Sequence, residues 1–348
     1  MAIAGQRVSS RLVRDLAAEI GFQLAGVTPA RQAPDFDRFR NWVDRGLAGE
    51  MRYLTDHRAD VRSDLDHLLP GVKSVVSVAM MYGEADGEAG PAGIAQYAWG
   101  EDYHVVMQRG LEALATRLTE HAQFEWRACV DTAPILERSL ARQAGLGWIG
   151  KNTCLINQDS GSFCLLAELL TTLEIETDPA FDAPPPDRCG TCTRCIDACP
   201  TQAIVPSHSG GFELDARLCI SYFTIELRGP VPEEYRGAIG DNIFGCDICQ
   251  DVCPWNKRHA IAVRSEPSAP LGEFSMLTKA EFRERFRHTA VNRAKYGGFL
   301  RKVAVAMGNS GREVYRQPLE QLANSEDEIV AAHARWGLAQ LDSTAKPR

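Results

Sequence analysis

No apolar run in the 348-residue chain reaches the roughly 18 residues that a membrane-spanning helix requires, so no membrane partner is expected. The first residues, Met1 to Arg14, hold neither the hydrophobic core of a secretion signal nor a twin-arginine pair, and the expected location is the cytoplasm. Positive charge is also scarce: 38 Lys and Arg stand against 46 Asp and Glu, a formal net charge of −8. That excludes a globally basic nucleic-acid coat but not a local basic face. Nucleotide-binding signatures are missing too. No G-x-x-x-x-G-K-[ST] occurs, and Gly145-Leu146-Gly147-Trp148-Ile149-Gly150 has suitably spaced glycines but follows a helix rather than a strand. No low-complexity tract is present, and 45% hydrophobic with 24% charged residues is ordinary for a folded protein. The length favours two or three domains over one core.

What the chain does have is cysteine, eleven in all. In a reducing compartment a disulfide framework is not expected. Cys129, Cys154 and Cys164 stand alone and read as buried core residues, whereas the other eight fall between Cys189 and Cys253. Cys189-x2-Cys192-x2-Cys195-x3-Cys199-Pro200 has the spacing of a bacterial ferredoxin run, in which three thiolates hold one cubane and the fourth reaches a second cluster. Cys246-x2-Cys249-x3-Cys253-Pro254 repeats the end of that motif, with Cys219 as the displaced remaining ligand. Crossing the last cysteines gives one four-iron cluster on Cys189, Cys192, Cys195 and Cys253, and a second on Cys199, Cys219, Cys246 and Cys249. Structural zinc is the alternative, but zinc ribbons have no use for a third cysteine at the same spacing or for two Cys-Pro endings. Two clusters pass electrons singly, so these residues define an electron carrier or a reductase.

The rest of the chain divides around that module. Residues 1–177 read as α/β: a strand over 72–82, a helix over 103–121 with Met107, Leu111, Leu114 and Leu118 on one stripe, a strand over 124–130 and a helix over 133–146. Asp131 falls between the last two, at the strand's C-terminal end where ligands of α/β sheets bind; on residue type alone it reads as a helix N-cap. Four prolines in 178–188 mark a boundary before the cysteine module, placed at 178–264. Residues 265–348 carry short helical patterns over 299–307, 318–322 and 328–341, similar to a HEAT-type repeat. From Arg283 to Lys302 there are seven basic residues and one acid, Glu284, a local reversal of charge that suits a phosphate-tracking surface, with Tyr296 and Phe299 interleaved.

Several segments resemble the epoxyqueuosine reductase family: Asp131-Thr132-Ala133-Pro134-Ile135-Leu136-Glu137-Arg138, Ala144 through Thr153 (AGLGWIGKNT), Tyr97-Ala98-Trp99-Gly100 with Asp102-Tyr103-His104, and Leu68 through Ser74 (LLPGVKS). Cys219 through Glu226 (CISYFTIE), Ile243 through Gln250 (IFGCDICQ) and Val252 through Asn256 (VCPWN) extend the match, which covers roughly residues 10 to 340.

The resemblance implies an α/β N-terminal cobalamin-binding domain, a ferredoxin-like two-cluster module and a C-terminal HEAT-like α-helical repeat that contacts tRNA. It implies reduction of the epoxide of epoxyqueuosine, at the wobble position of tRNA, to queuosine. The partners are then that tRNA and an external low-potential electron donor; the chain itself is expected to be a monomer. Asp131 matches the family's proton donor, and a carboxyl beside a corrin is expected to have a raised pKa. Asp102, Tyr103 and His104 are expected to line the cobalamin pocket, His104 not as an axial ligand. Arg138, two turns along a helix face from Asp131, is a candidate for the same pocket, as are Lys151, Asn152 and Leu155. Ser221, Tyr222, Thr224 and Glu226 follow a cluster cysteine and are expected at the cofactor too. Arg293, Lys295, Arg301 and Lys302 are the expected tRNA contacts. The competing readings are a reductive dehalogenase-like cobalamin enzyme and a ferredoxin-type carrier with an adaptor domain.

Overall fold

Eight residues of Ser74–Met81 (SVVSVAMM), six of them buried, form the central strand of the N-terminal sheet. The structure is a computed structural model and describes residues 8–82, 91, 93–256 and 270–344; the expected boundary at 264–265 lies outside the described residues. In chain order the strands are β1 (Leu24–Pro29), β2 (Ser74–Met81), β3 (Trp126–Cys129), β4 (Trp148–Ile149), β5 (Leu155–Ile156), β6 (Cys164–Thr171), β7 (Ile204–Pro206) and β8 (Phe212–Leu214). The main sheet has the order β1-β2-β6-β3, and every pairing in it is antiparallel. The crevice that parallel α/β sheets open at their strand ends is therefore not what places Asp131.

One sheet face is covered by the helices Ser10–Ile20 and Tyr103–Thr119. The expected stripe of Met107, Leu111, Leu114 and Leu118 is wholly buried, packed with Val13, Leu16, Val76 and Leu169. Such side chains each contribute about 1.5–3 kcal/mol of burial. Asp102 caps the second helix by accepting the His104 N–H at 3.0 Å. The opposite face takes the helix Glu137–Gln143, with Ala141, Ala144, Leu146 and Leu155 against Ala79. This helix is shorter than expected and starts six residues after Asp131, so Asp131 is not its N-cap, and Arg138 does not share a helix face with it.

The cysteine module is made of the β7–β8 hairpin, short helices at Arg194–Asp197 and Ile248–Asp251, and a five-residue π-helix, Tyr222–Glu226. It is tied to the N-terminal region by Trp42 Nε1 donating to Leu214 O at 2.6 Å and by the Arg45–Glu213 ion pair. The C-terminal region is helical: Pro270–Met276, Lys279–Arg285, Tyr296–Asn309, Arg316–Ala323 and Glu328–Thr344. Its second helix opens on a capping box between Thr278 and Glu281. The third and fifth cross where a Cβ on Gly308 would sit 2.6 Å from Gly337 Cα, so only glycine permits that approach. Phe274, Phe282, Phe286 and Phe299 pack in one cluster that also takes in Ala98, Ile243 and Phe244, so the three regions share a core. No described helix is long and apolar enough to cross a membrane.

Candidate active site and cluster sites

Asp131 follows β3 in a left-handed backbone conformation, φ 45°, which costs a non-glycine residue on the order of 1 kcal/mol and which aspartate tolerates better than most. The turn is held because the Asp131 N–H donates to Glu137 Oε1 at 2.6 Å. The carboxylate is thereby presented to three elements. His104 Nε2 lies 3.2 Å from Asp131 Oδ2, the Tyr103 side chain hydrogen-bonds the same carboxylate, and Arg293 Nη1 is 3.5 Å from Oδ2. His104 Nδ1 in turn lies 2.7 Å from Asp102 Oδ1, and its ring stacks on Tyr103 at 4.1 Å between centroids. The Asp102 N–H donates to His288 O at 2.7 Å, anchoring this line to the C-terminal region.

An imidazole between two carboxylates has an acceptor on each nitrogen, the arrangement that stabilises the doubly protonated ring. The Asp131 hydrogen bond, then that of Asp102, accordingly raise the His104 pKa against the opposing effect of burial. Burial pushes the Asp131 carboxyl up, but the His104 hydrogen bond, the Arg293 charge and Tyr103 outweigh it and hold the group below the usual carboxylate range. In the protein alone the Asp131–His104 pair thus favours the carboxylate beside a protonated imidazole, whereas the expected rise of the Asp131 pKa refers to a carboxyl covered by a corrin. Glu137, behind the turn, is pushed up to about 8 by burial and by the Asp131 charge.

Arg293 joins two carboxylates, because its Nη2 lies 2.8 Å from Glu226 Oε1. Its guanidinium sits 5.4 Å from the Tyr53 ring centroid, and Tyr53, hydrogen-bonded to Glu226, is pushed up to about 12 by burial and that negative neighbour. Tyr97 meets Tyr103 edge-on at 5.9 Å. Arg293 is thus paired with two carboxylates of the site.

The eight clustered cysteines gather as two quartets. Cys189, Cys192, Cys195 and Cys253 line one cavity of about 290 Å³, together with Lys151 and Trp255. Cys199 lies in electrostatic contact with Cys219, and Cys249 with Cys219 and Cys246. These proximities are the ones that crossed ligation would use. Of the isolated cysteines, Cys129 is core, but Cys154 hydrogen-bonds the Cys249 thiol, a contact its position in sequence did not suggest.

The other expected site residues separate into cluster supports, surface and core. Lys151 Nζ donates to Gly190 O at 2.7 Å and Cys192 O at 2.9 Å, bracing the first cysteine loop. Asn152 reaches Cys249 O at 3.4 Å, and the Ser221 N–H and hydroxyl donate to the Cys219 sulfur. Arg138 is exposed and bonds the Thr153 carbonyl and hydroxyl. Leu155 is core, packed in one cluster with Ala79 and Leu146. Tyr222 and Thr224 are buried with their hydroxyls taken by Glu50 N and by Ile220 O and Gly245 N.

Lys295 is exposed as a phosphate contact should be, but Arg301 and Lys302 are 1% and 0% exposed. Arg301 donates to the Leu227 carbonyl at 2.8 Å and also to Gly229 O, and Lys302 donates to Thr224 O. Buried and bonded to backbone carbonyls, neither side chain reaches the surface, so the expected tRNA role is corrected: both staple the π-helix that carries Glu226 and the turn after it. The helix period around Phe299 to Met307, which is buried all round, held the clue. Tyr53 carries no sequence signal, whereas Tyr97 and Glu137 lie inside the family-like motifs.

Two thiolate quartets and a carboxylate–imidazole–arginine site in one core define an iron–sulfur oxidoreductase. Residues 188–256 match the 4Fe-4S double cluster binding domain, and residues 62–132 match the family described as epoxyqueuosine reductase QueG, DUF1730. The epoxyqueuosine reductase of Xanthomonas campestris pv. campestris is 42% identical, over 94% of this chain and 95% of that protein. An epoxyqueuosine reductase crystallised with an epoxyqueuosine-modified tRNA-Tyr stem loop superposes with a TM-score of 0.82 at 28% identity, over 95% of this chain and 89% of that one. The Bacillus subtilis enzyme, in a structure with its catalytic aspartate loop swung out of the active site, gives 0.81 at 27% identity, over 95% and 90%. The chain belongs to the epoxyqueuosine reductase family: it is a 4Fe-4S oxidoreductase of queuosine biosynthesis.

Proposed function

We propose that this chain reduces the epoxide of epoxyqueuosine in tRNA to the alkene of queuosine, with Asp131 delivering the proton, cobalamin and two 4Fe-4S clusters carrying the electrons, and an external low-potential donor supplying them. The observation that carries this reading is the Asp131 carboxylate held by His104, Tyr103 and Arg293, with Glu226 linking Arg293 to the segment that follows the cluster cysteine Cys219.

Loss of the epoxide oxygen as water takes two electrons and two protons. The Asp131–His104 pair holds one proton. As negative charge develops on the departing oxygen, that proton moves from Nε2 through Oδ2 to the oxygen, and Asp102 steadies the imidazole left behind. His104 is about 29% exposed on its side chain, so it regains a proton from solvent for the second transfer. Arg293 offsets the charge left on Asp131 and Glu226.

The residues present fit a corrin. Its periphery carries carboxamides, for which the exposed Arg138 would supply a guanidinium, while Asn152 and Ser221, which touch Cys249 and Cys219, would set it beside the cluster cysteines. Cobalamin, when bound, supplies a metal that accepts single electrons from the clusters and acts on the substrate carbon. The exposed Lys295, two residues from Arg293, is the cation best placed for tRNA phosphate.

The test is anaerobic incubation of protein reconstituted with clusters and cobalamin with tRNA bearing epoxyqueuosine, followed by mass analysis of the nucleosides. Loss of one oxygen from the modified base is expected. An unchanged nucleoside, with iron and corrin at full content, would overturn the reading.

A further inference from the structure

The two cysteine quartets differ in their surroundings. Beside Cys219 and Cys246 the chain is core: Ile220, Phe223, Phe244 and Asp247 are buried, and the π-helix from Tyr222 leads through Glu226 to Arg293 and Asp131. Beside Cys189 and Cys192 it is surface: Arg188, Gly190, Thr191, Thr193 and Arg194 are all exposed. One quartet therefore faces the reacting site and the other faces solvent.

The solvent-facing cavity has a charge of its own. Lys151, Arg188 and Arg194 line it and no carboxylate does, although the chain as a whole carries −8. The guanidinium groups of Arg188 and Arg194 have no hydrogen-bond or ion-pair partner among the described residues. Two acids stand nearby, and both are engaged with the loop: Asp187 accepts the Cys189 N–H at 2.7 Å, and Asp197 accepts the Thr193 hydroxyl at 2.8 Å. Unpaired arginines around a thiolate cavity on an acidic protein suit encounter with a negatively charged surface, where steering acts on association rate.

We propose that this face docks an acidic, low-potential one-electron carrier protein, which reduces the cluster held by Cys189, Cys192, Cys195 and Cys253. The inference rests on the iron–sulfur reading above and adds where electrons enter. Each encounter oxidises the carrier by one electron and reduces the cluster by one, with no proton or bond transferred. Two encounters supply one epoxide. The second quartet then lies on the exit side, next to the segment that holds Glu226.

The experiment compares the reconstituted full chain with its R188E/R194E variant. The probes are a reduced acidic 2Fe-2S ferredoxin, freed of dithionite, and photoreduced 5-deazaflavin, a small neutral reductant. Cluster bleaching is followed by stopped flow, and ferredoxin binding by calorimetry, at low and at raised salt. Wild-type protein is expected to bind ferredoxin and to lose affinity with salt. The variant is expected to lose about tenfold in binding and in ferredoxin-driven bleaching while the deazaflavin rate stays unchanged. Equal ferredoxin binding and bleaching in the two proteins would overturn the proposal. So would a variant that keeps ferredoxin binding and loses tRNA retention, which would make the face a nucleic-acid surface. Wild-type clusters that neither reductant bleaches would instead remove the cluster reading, and the docking proposal with it.

Discussion

Arg293 and Asp131, 162 residues apart in sequence, meet with Nη1 3.5 Å from Oδ2, and the same guanidinium reaches Glu226 at 2.8 Å. The C-terminal region therefore completes the site instead of only flanking it. In the R293Q variant the Asp131 pKa is expected to rise, because a cation that favours the ionised carboxylate is lost. Turnover on modified tRNA is expected to fall about 10- to 100-fold, with iron content unchanged. Wild-type turnover by R293Q would show that the contact has no part in the reaction.

The imidazole sets a pH dependence. His104 has a raised pKa, so the proton it shares with Asp131 is present below that value and is lost as pH rises through it. The wild-type rate is expected to decline on the alkaline side of the ordinary histidine range. In H104Q the remaining proton carrier is the Asp131 carboxyl, and the declining limb is expected to move down into the acid range. A pH–rate profile of both proteins checks this; superimposable limbs would exclude His104 as the proton store.

Crossed ligation gives a test on iron. C253S, although its cysteine belongs to the second half of the motif, is expected to lose the same cluster as C189S. C199S is expected to lose the other one, shared with Cys246 and Cys249. Each variant should keep about half of the iron, and paramagnetic resonance of the reduced proteins should sort C253S with C189S and C199S with C249S. Sorting by position along the chain instead would contradict the two quartets.

Burial lowers the Lys302 pKa well below the lysine range, so the unfolded chain takes up a proton that the folded chain does not hold. Stability contributed by this group then rises with pH between the folded and unfolded values. K302M removes that slope, and thermal unfolding from about pH 7 to about pH 10 should show a flatter rise in Tm than in wild type. Parallel curves would mean the ammonium stays charged in the fold.

Much of this was legible before the structure. The cysteine spacing located both quartets because cubane ligation fixes intervals along the chain. The stripe of Met107, Leu111, Leu114 and Leu118 marked a buried helix face because helical period is local. What sequence could not supply depends on long-range packing. Basic residues from Arg283 to Lys302 read as one surface, yet Arg301 and Lys302 turn inward on a helix buried on every side, and Arg293 is taken up by two carboxylates. Asp131 was found by its motif, but its charge state followed from His104 and Arg293, which reach it from other elements.

One measurement decides the account of the reacting site: the rate of queuosine formation on epoxyqueuosine-bearing tRNA by D131N against wild type, at matched iron and corrin content. The asparagine side chain keeps the shape of the turn but cannot relay a proton as the carboxylate does. A fall of about a hundredfold or more is therefore expected, with tRNA binding retained. Formation of queuosine by D131N at the wild-type rate would contradict it.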